Sequence, residues 1–272
     1  MGTVIAFANM KGGVGKTALT YVLVASAKKL LRLTDRILTV DLDPQANLTS
    51  ILLPPTTANY IQDINIAKFF EEKASFQSRI HATKIQDVEI APSYIDLAIV
   101  ENEMRTDPLW PLKLKNALDG VKQNYDLIVL DCPPNIGPLT VNGLVAADHV
   151  FVPVTPDSMA MVGFTRIKDT IDRIKILNPN IKLSGIIPNM IDRRYASHNA
   201  YVEFIRRTDT LPKMIGPVTR RAAILRLVEF GKQLSEEIAD GDPELKNELI
   251  SFTTSILEIV KAGGTHVQTA VQ

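Results

Sequence analysis

The stretch that most constrains this chain is "FANMKGGVGKTALT", Phe7 to Thr20. An apolar strand-like run ends at Asn9, three glycines follow within four positions (Gly12, Gly13 and Gly15), and a helical pattern begins at Lys16. Glycines let the backbone turn tightly and aim its N–H groups inward, and a helix start adds its positive end, which together make an anion cradle. Gly12, Gly13, Val14, Gly15, Lys16, Thr17 and Ala18 are therefore the expected phosphate-binding residues, with Lys16 on the β- and γ-phosphates and the Thr17 hydroxyl on Mg²⁺. The ordinary pattern, G-x-x-x-x-G-K-[ST], wants glycine where Met10 stands, and a second lysine, Lys11, precedes Lys16 by five positions. One lysine suffices to reach the outer phosphates, so Lys11 needs a separate explanation.

Around this loop, Val-, Ile- and Leu-rich runs alternate with helical patterns. "TVIAFAN" (Thr3 to Asn9), "RILTVDL" (Arg36 to Leu42), "YDLIVLDC" (Tyr125 to Cys132), "DHVFVPVT" (Asp148 to Thr155) and "IKLSGIIPN" (Ile181 to Asn189) read as strands covered on both faces. Weaker strands are expected at "IHATKI" and "VEIAPS". Helices are expected over Lys16 to Leu33, Leu112 to Gln123, Thr140 to Ala147, Met159 to Leu177 and Glu244 to Ala262. The alternation predicts an α/β fold of the P-loop type, a mostly parallel twisted sheet with helices on both faces. With 272 residues and no linker or repeat, a single domain over residues 1–262 is the expectation, followed by a flexible tail at 263–272. No apolar run is long enough to span a membrane and no leader precedes the first strand, which predicts a cytoplasmic protein. The lone Cys132 can form neither an internal disulfide nor a metal site by itself, and its apolar surroundings predict a buried small side chain.

A phosphate loop requires further parts, and acids stand where they are needed. "VLDCPP" ends a strand in Asp131, the expected Mg²⁺-holding carboxylate, while "DLDPQAN" ends another with Asp41 and Asp43, two residues apart and so on one side of an extended chain. Such acids also cap helices and open turns, as Asp-Pro commonly does. Carboxyl ends of adjacent parallel strands are nevertheless where an open α/β sheet puts its ligand.

"KGGVGKT" (Lys11 to Thr17), "DLDPQAN" (Asp41 to Asn47) and "DCPP" (Asp131 to Pro134), in this order, resemble the ParA/MinD family of deviant Walker A ATPases. The resemblance continues through "VFVPVTPDSMAMVGF", "GIIPNMIDRR" and "IGPVTRR" and so covers most of the chain. It implies an ATPase that forms a homodimer with two ATP molecules at the interface, where Lys11 crosses to the partner subunit's phosphates and Lys16 acts within its own subunit. It also implies that Asp43 orients the attacking water, Asp41 supports the metal shell, and Pro133 and Pro134 belong to a switch sensing the γ-phosphate. Asn189 would hydrogen-bond the adenine edge, with the backbone near Pro217 closing over the base. Ala18 departs from the family, which usually carries Thr or Ser there, and the missing hydroxyl predicts weaker nucleotide affinity.

Within the family, one cysteine excludes the iron-protein branch, which needs two per chain. The tail after Lys261 has no Lys or Arg, so no direct membrane anchor of the MinD kind is expected, and Leu245, Leu249, Phe252, Ile256, Ile259 and Val260 read as a core-packing face. The chain begins at the first strand, so operator reading is not expected. The remaining branch is the short, Soj-like ParA proteins, whose ATP dimers coat nucleoid DNA without sequence preference and are released by an activating cargo-adaptor protein of ParB type.

Thirty Lys and Arg balance thirty Asp and Glu, but the charge is segregated: Asn189 to Lys232 holds nine bases against four acids. Arg193, Arg194, Arg206, Arg207, Lys213, Arg220, Arg221 and Arg226 are the expected DNA contacts, away from the triphosphate; the alternative is a set of solvated faces with local ion pairs. Two other functions stand beside partition, a membrane-positioning ATPase of MinD type and a metabolic enzyme such as a carboxylate-activating ligase, which would not need Lys11.

Overall fold

The computed structural model describes residues 2–157, 159–221, 224 and 242–263. Its centre is a sheet of seven strands: β1 (Thr3–Phe7), β2 (Ile37–Asp41), β3 (His81–Ala82), β4 (Val88–Ala91), β5 (Leu127–Asp131), β6 (His149–Val154) and β7 (Lys182–Pro188). They lie in the order β3-β4-β2-β5-β1-β6-β7, and every pair is parallel except β3 with β4. All seven strand runs expected from the sequence are present.

Side chains alternate across the sheet, as a two-residue period requires. Val4, Ala6 and Ala8 of the β1 run, with Ile128 and Leu130 of β5, join one apolar layer; Ile5 and Phe7, with Leu127 and Val129, join the other. The first layer is closed by α5 (Asp96–Glu103), α6 (Lys113–Asp119), α7 (Pro138–Ala146) and α8 (Ala160–Ile174). The second is closed by α1 (Lys16–Lys29), α2 (Asn47–Leu52) and the final helix, α10 (Pro243–Gly263). Short helices α3 (Ile61–Ile64) and α4 (Ala67–Phe70) lead toward β3, and α9 (Ala196–Arg207) follows β7.

Helix α1 is buried from Leu19 to Ala27, because the sheet, α2 and α10 surround it. It stops at Lys29 instead of Leu33, where Arg32 takes a left-handed conformation that a helix cannot continue. Leu245, Leu249, Phe252, Ile256 and Val260 of α10 are buried against this layer, the core face anticipated from their spacing. Among the described residues no helix is long and apolar enough to cross a membrane. Cys132 is buried, and burial pushes its thiol up to about 12. The expected tail lies almost wholly outside the described residues.

Strand register sets the site. Phe7 of β1 and Asp41 of β2 both stand opposite Asp131 of β5, so the glycine-rich loop and the two acids leave the sheet at one level of its carboxyl edge.

Candidate nucleotide site

The loop after β1 takes the shape its glycines permit. Gly13 and Gly15 have φ of 75° and 88°, and Gly15 caps α1, whose first turn carries no acid to compete with a phosphate. Lys16 is 6% exposed, with its ammonium 3.5 Å from the Lys11 carbonyl. Burial lowers its pKa, and the nearby Asp131, Cys132 and Asp43 oppose that shift. A desolvated cation of this kind gains strongly from an arriving polyanion.

The three acids have different surroundings. Asp41 is fully buried and accepts bonds from the Thr49 N–H (2.9 Å), the Thr49 hydroxyl (2.7 Å) and the Asp43 N–H (3.1 Å). Burial pushes its carboxyl up to about 7 against those bonds. Asp43 accepts from the Gln45 N–H at 3.0 Å and borders the cavity. Asp131 is fully buried with no hydrogen-bond partner of normal geometry on either oxygen. Burial and the neighbouring Asp41 hold it well above the carboxylate range, while the Thr17 hydroxyl and Lys16 pull the other way.

An orphaned buried carboxylate beside a threonine hydroxyl and a lysine is costly as it stands and suits a divalent cation. Among the described residues no three acidic, His or Cys side chains are grouped to hold a metal alone. That fits Mg²⁺, which takes one or two protein oxygens and completes its shell with phosphates and water.

Lys16, Thr17 and Asp43 border a cavity of about 350 Å³, within the range of small-ligand sites. Gly13, Gly15, Lys16, Thr17, Ala18 and Asp43 line it from the loop and the β2 end, and Gln45, Asn47 and Pro134 continue the wall. Gly12, Val14, Asp41 and Asp131 support this wall without lining it. Asn189, just past β7, lines the opposite side and is 5% exposed. Its amide donates to the Val14 carbonyl at 2.8 Å, and a Cβ on Gly15 would stand 2.3 Å from its nitrogen.

Thr219, Arg220, Arg221 and Ile224 close the cavity, two residues beyond the expected Pro217. The segment docks beside the β7 end: Val218 N–H donates to the Pro188 carbonyl, Ile191 N–H to Val218 and Arg220 N–H to Ile191. Glu248 of α10 accepts from both the Thr219 N–H (2.7 Å) and its hydroxyl (2.9 Å). Thr49, Thr219 and Glu248 are supporting residues that sequence reasoning missed, because their partners are distant in the chain or lie on elements that carry no motif.

Lys11, expected to act on a partner's phosphates, does not line the cavity; its ammonium is 2.5 Å from Asp157 in the turn after β6. One expectation changes. Arg220 and Arg221, expected away from the triphosphate, border its cavity, because the segment docked beside the β7 end carries them there, past Pro217.

The other basic residues form local ion pairs. Arg193 faces Glu244 (3.5 Å) and Glu248 (3.9 Å), Arg194 faces Asp192 (2.6 Å), Arg206 and Arg207 share Glu203, and Arg221 faces Glu244 (2.6 Å) and Asp242 (3.4 Å). Lys213 and Arg220 are exposed and form no ion pair among the described residues; Arg226 lies outside them.

A family model described as an AAA domain matches residues 2–183. The chain is 37% identical over 197 residues to the sporulation initiation inhibitor protein Soj of Bacillus subtilis (strain 168), covering 71% of this chain and 75% of that one. It is 35% identical over 238 residues to the chromosome partitioning protein ParA of Myxococcus xanthus (strain DK1622), covering 86% and 81%. Among solved structures, cobyrinic acid a,c-diamide synthase from Mycobacterium smegmatis, with bound ATP analog and magnesium, superposes with a TM-score of 0.79 at 27% identity, covering 97% and 98%.

Proposed function

Because this chain belongs to the ParA/Soj family of chromosome-partitioning P-loop ATPases, which bind ATP with Mg²⁺ and hydrolyse it, we propose that it is a partition or positioning ATPase whose ATP-bound dimer binds DNA without sequence preference. Hydrolysis, stimulated by a ParB-like cargo adaptor, releases the dimer to a cytoplasmic pool that rebinds the nucleoid after nucleotide exchange.

In this reading Lys16 and the loop N–H groups hold the β- and γ-phosphates, while Thr17 and Asp131 hold Mg²⁺. Asp41 is a support: its oxygens are bonded to Thr49 and Asp43, so it fixes the strand end that carries Asp43, the residue that orients the attacking water. Asn189 keeps its carbonyl and one amide hydrogen for the adenine edge. Thr219 to Arg221 cover the base side of the cavity.

The observation that carries the proposal is the separation of the two lysines. Lys16 borders the nucleotide cavity and Lys11 does not, which supports a role for Lys11 on the phosphates of a second subunit. A cation delivered only by a second subunit makes both dimerisation and transition-state stabilisation depend on ATP. The doubled basic surface of a dimer then makes DNA affinity depend on ATP as well.

The similarity to a synthase favours a second reading, a carboxylate-activating ligase. A groove of about 610 Å³ adjoins the nucleotide cavity and shares Gln45 with it. Its lining, including Pro44, Thr49, Pro54, Pro55, Tyr94 and Ile95, contains no charged side chain to receive a carboxylate, which weighs against this reading.

DNA retention and liposome flotation, each with and without ATP, separate the readings. Partition requires ATP-dependent retention on DNA of any sequence, with Lys16→Ala losing nucleotide binding and Lys11→Ala binding nucleotide but failing to dimerise. A parent protein that holds DNA equally without nucleotide overturns it.

A further inference from the structure

Lys11 is held at both ends by its own subunit. Its N–H donates to Asn9 Oδ1 at 3.0 Å, and the Asn9 amide in turn donates to the Pro153 carbonyl of β6 at 2.6 Å. Gly163 of α8 leaves the room this needs, since a Cβ there would stand 2.7 Å from Asn9 Oδ1. At the other end, the ammonium lies 2.5 Å from Asp157 Oδ2 and 3.5 Å from Thr155 Oγ1, and the Thr155 hydroxyl donates to the same Asp157 oxygen. Against the push of partial burial, these bonds hold the Asp157 carboxyl below its ordinary range.

The pair is built to open. Its side chains are 37% and 35% exposed, so water screens the attraction. An open groove of about 320 Å³ beside it, lined by Met10, Met159, Val162 and Arg166, lets the ammonium swing away without repacking the core.

We infer that Asp157 is a positioning residue that retains Lys11 in its own subunit, and that Lys11 engages a partner's nucleotide only by exchanging this carboxylate for phosphate. The inference rests on the proposed action of Lys11 across a dimer. It adds a cost to that action: the exchange is favourable only when the incoming phosphates bind the ammonium more strongly than the carboxylate left behind. The cost is the same for both nucleotides, but ATP, with its additional phosphate, offsets it more fully than ADP, so ADP dimers are suppressed at concentrations where ATP dimers persist. Two such pairs open in a symmetric dimer, and the cost enters the dimer equilibrium twice.

Asp157→Asn is the informative variant. It removes the charge yet keeps an oxygen for the Met159 N–H, which Asp157 Oδ1 accepts at 3.0 Å at the start of α8. In MgATP, the protein concentration for half-dimerisation by analytical ultracentrifugation is expected to fall about two- to thirtyfold, the range for two exposed ion pairs. A dimer should also form in MgADP at concentrations where the parent is monomeric, and Asp157→Glu should return both midpoints toward the parent. Thr155→Val, which removes the bracing hydroxyl, should shift them in the same direction by less, and it carries the test if Asp157→Asn fails to fold. A midpoint for these variants equal to or above the parent's overturns the inference. Lys11→Ala separates the two levels: if it cannot dimerise while Asp157→Asn behaves as the parent, retention alone is wrong, and if it dimerises normally, retention and the trans role fall together.

Discussion

The side-chain amide of Asn189 donates to the carbonyl of Val14 at 2.8 Å, joining the chain beyond β7 to the middle of the glycine-rich loop. The Asn189 N–H donates at 2.7 Å to Val154 at the end of β6, so three consecutive stretches of the sheet edge are linked through one residue. In the proposed site this residue faces the base while the loop faces the phosphates. The shape of one half is therefore coupled to the shape of the other.

Gly15→Ala tests that coupling. At φ 88° a side chain is strained, and its Cβ would meet the Asn189 nitrogen at 2.3 Å, whereas a Cβ on Gly13, at φ 75°, meets nothing within 4 Å. Backbone strain of roughly 1–2 kcal/mol applies at both positions, but only Gly15→Ala also displaces Asn189. Calorimetry is expected to show ATP affinity reduced about tenfold or more for Gly15→Ala, and less for Gly13→Ala.

Asp43→Ala should divide binding from chemistry. The loop and Asp131 remain, so MgATP binding and dimerisation persist, while phosphate release falls by roughly 10² to 10⁴. Light scattering should then show a long-lived ATP dimer. Parental turnover in this variant removes Asp43 from the water-orienting role.

Thr49→Val should destabilise the nucleotide-free protein by about 2 kcal/mol, since it removes one of the two bonds to the buried Asp41 Oδ2, leaving that from the Thr49 N–H, and orphans the Ser93 N–H that donates to the Thr49 hydroxyl at 2.8 Å. The penalty should depend on pH. Burial raises the folded Asp41 carboxyl to about 7, so the proton taken up on folding contributes stability below the unfolded value near 4, and this is lost as pH rises through about 7. The lost hydroxyl bond favours the charged form. Urea titrations should accordingly give a larger parent-to-variant difference at pH 8 than at pH 5.5, and an equal difference at both would contradict this account.

Lys213→Glu is the clean probe of the basic surface, because Lys213 is exposed, forms no ion pair among the described residues and does not border the nucleotide cavity. It should weaken DNA retention in ATP, leave ATP affinity unchanged, and reduce the salt slope by about 0.9 for each lost phosphate contact. Arg221→Glu should instead impair nucleotide binding too, since Arg221 borders the cavity and is tied to Thr219, Asp242 and Glu244. Filter binding with scrambled DNA should give the same curves for the parent.

The strands and the loop were legible because continuous apolar runs and clustered glycines admit few readings. Helix α5 was not, since only Leu97 and Val100 are buried among its acids, and α9 likewise buries only Val202 and Ile205. The six-residue α2 begins after Ala46 in a left-handed conformation, without a side-chain cap to announce it. Roles set by contacts across the chain were hidden for another reason. Charge counts locate Arg193 and Arg221, but nothing local ties them to Glu244, and Asp157 is 146 residues from Lys11.

Both margins of the sheet are finished off. At one side β3 contributes two residues, antiparallel to β4, and at the other β7 and the residue just past Asn189 and Met190 carry single parallel bridges, Ile186 to Met214 and Ile191 to Thr219. Among the described residues, neither margin presents a long row of free peptide groups on which a further strand could be templated. Growth of this molecule into ribbons by backbone zippering is thereby disfavoured, and association is left to loops and helix faces, where the proposed nucleotide-dependent dimer would form.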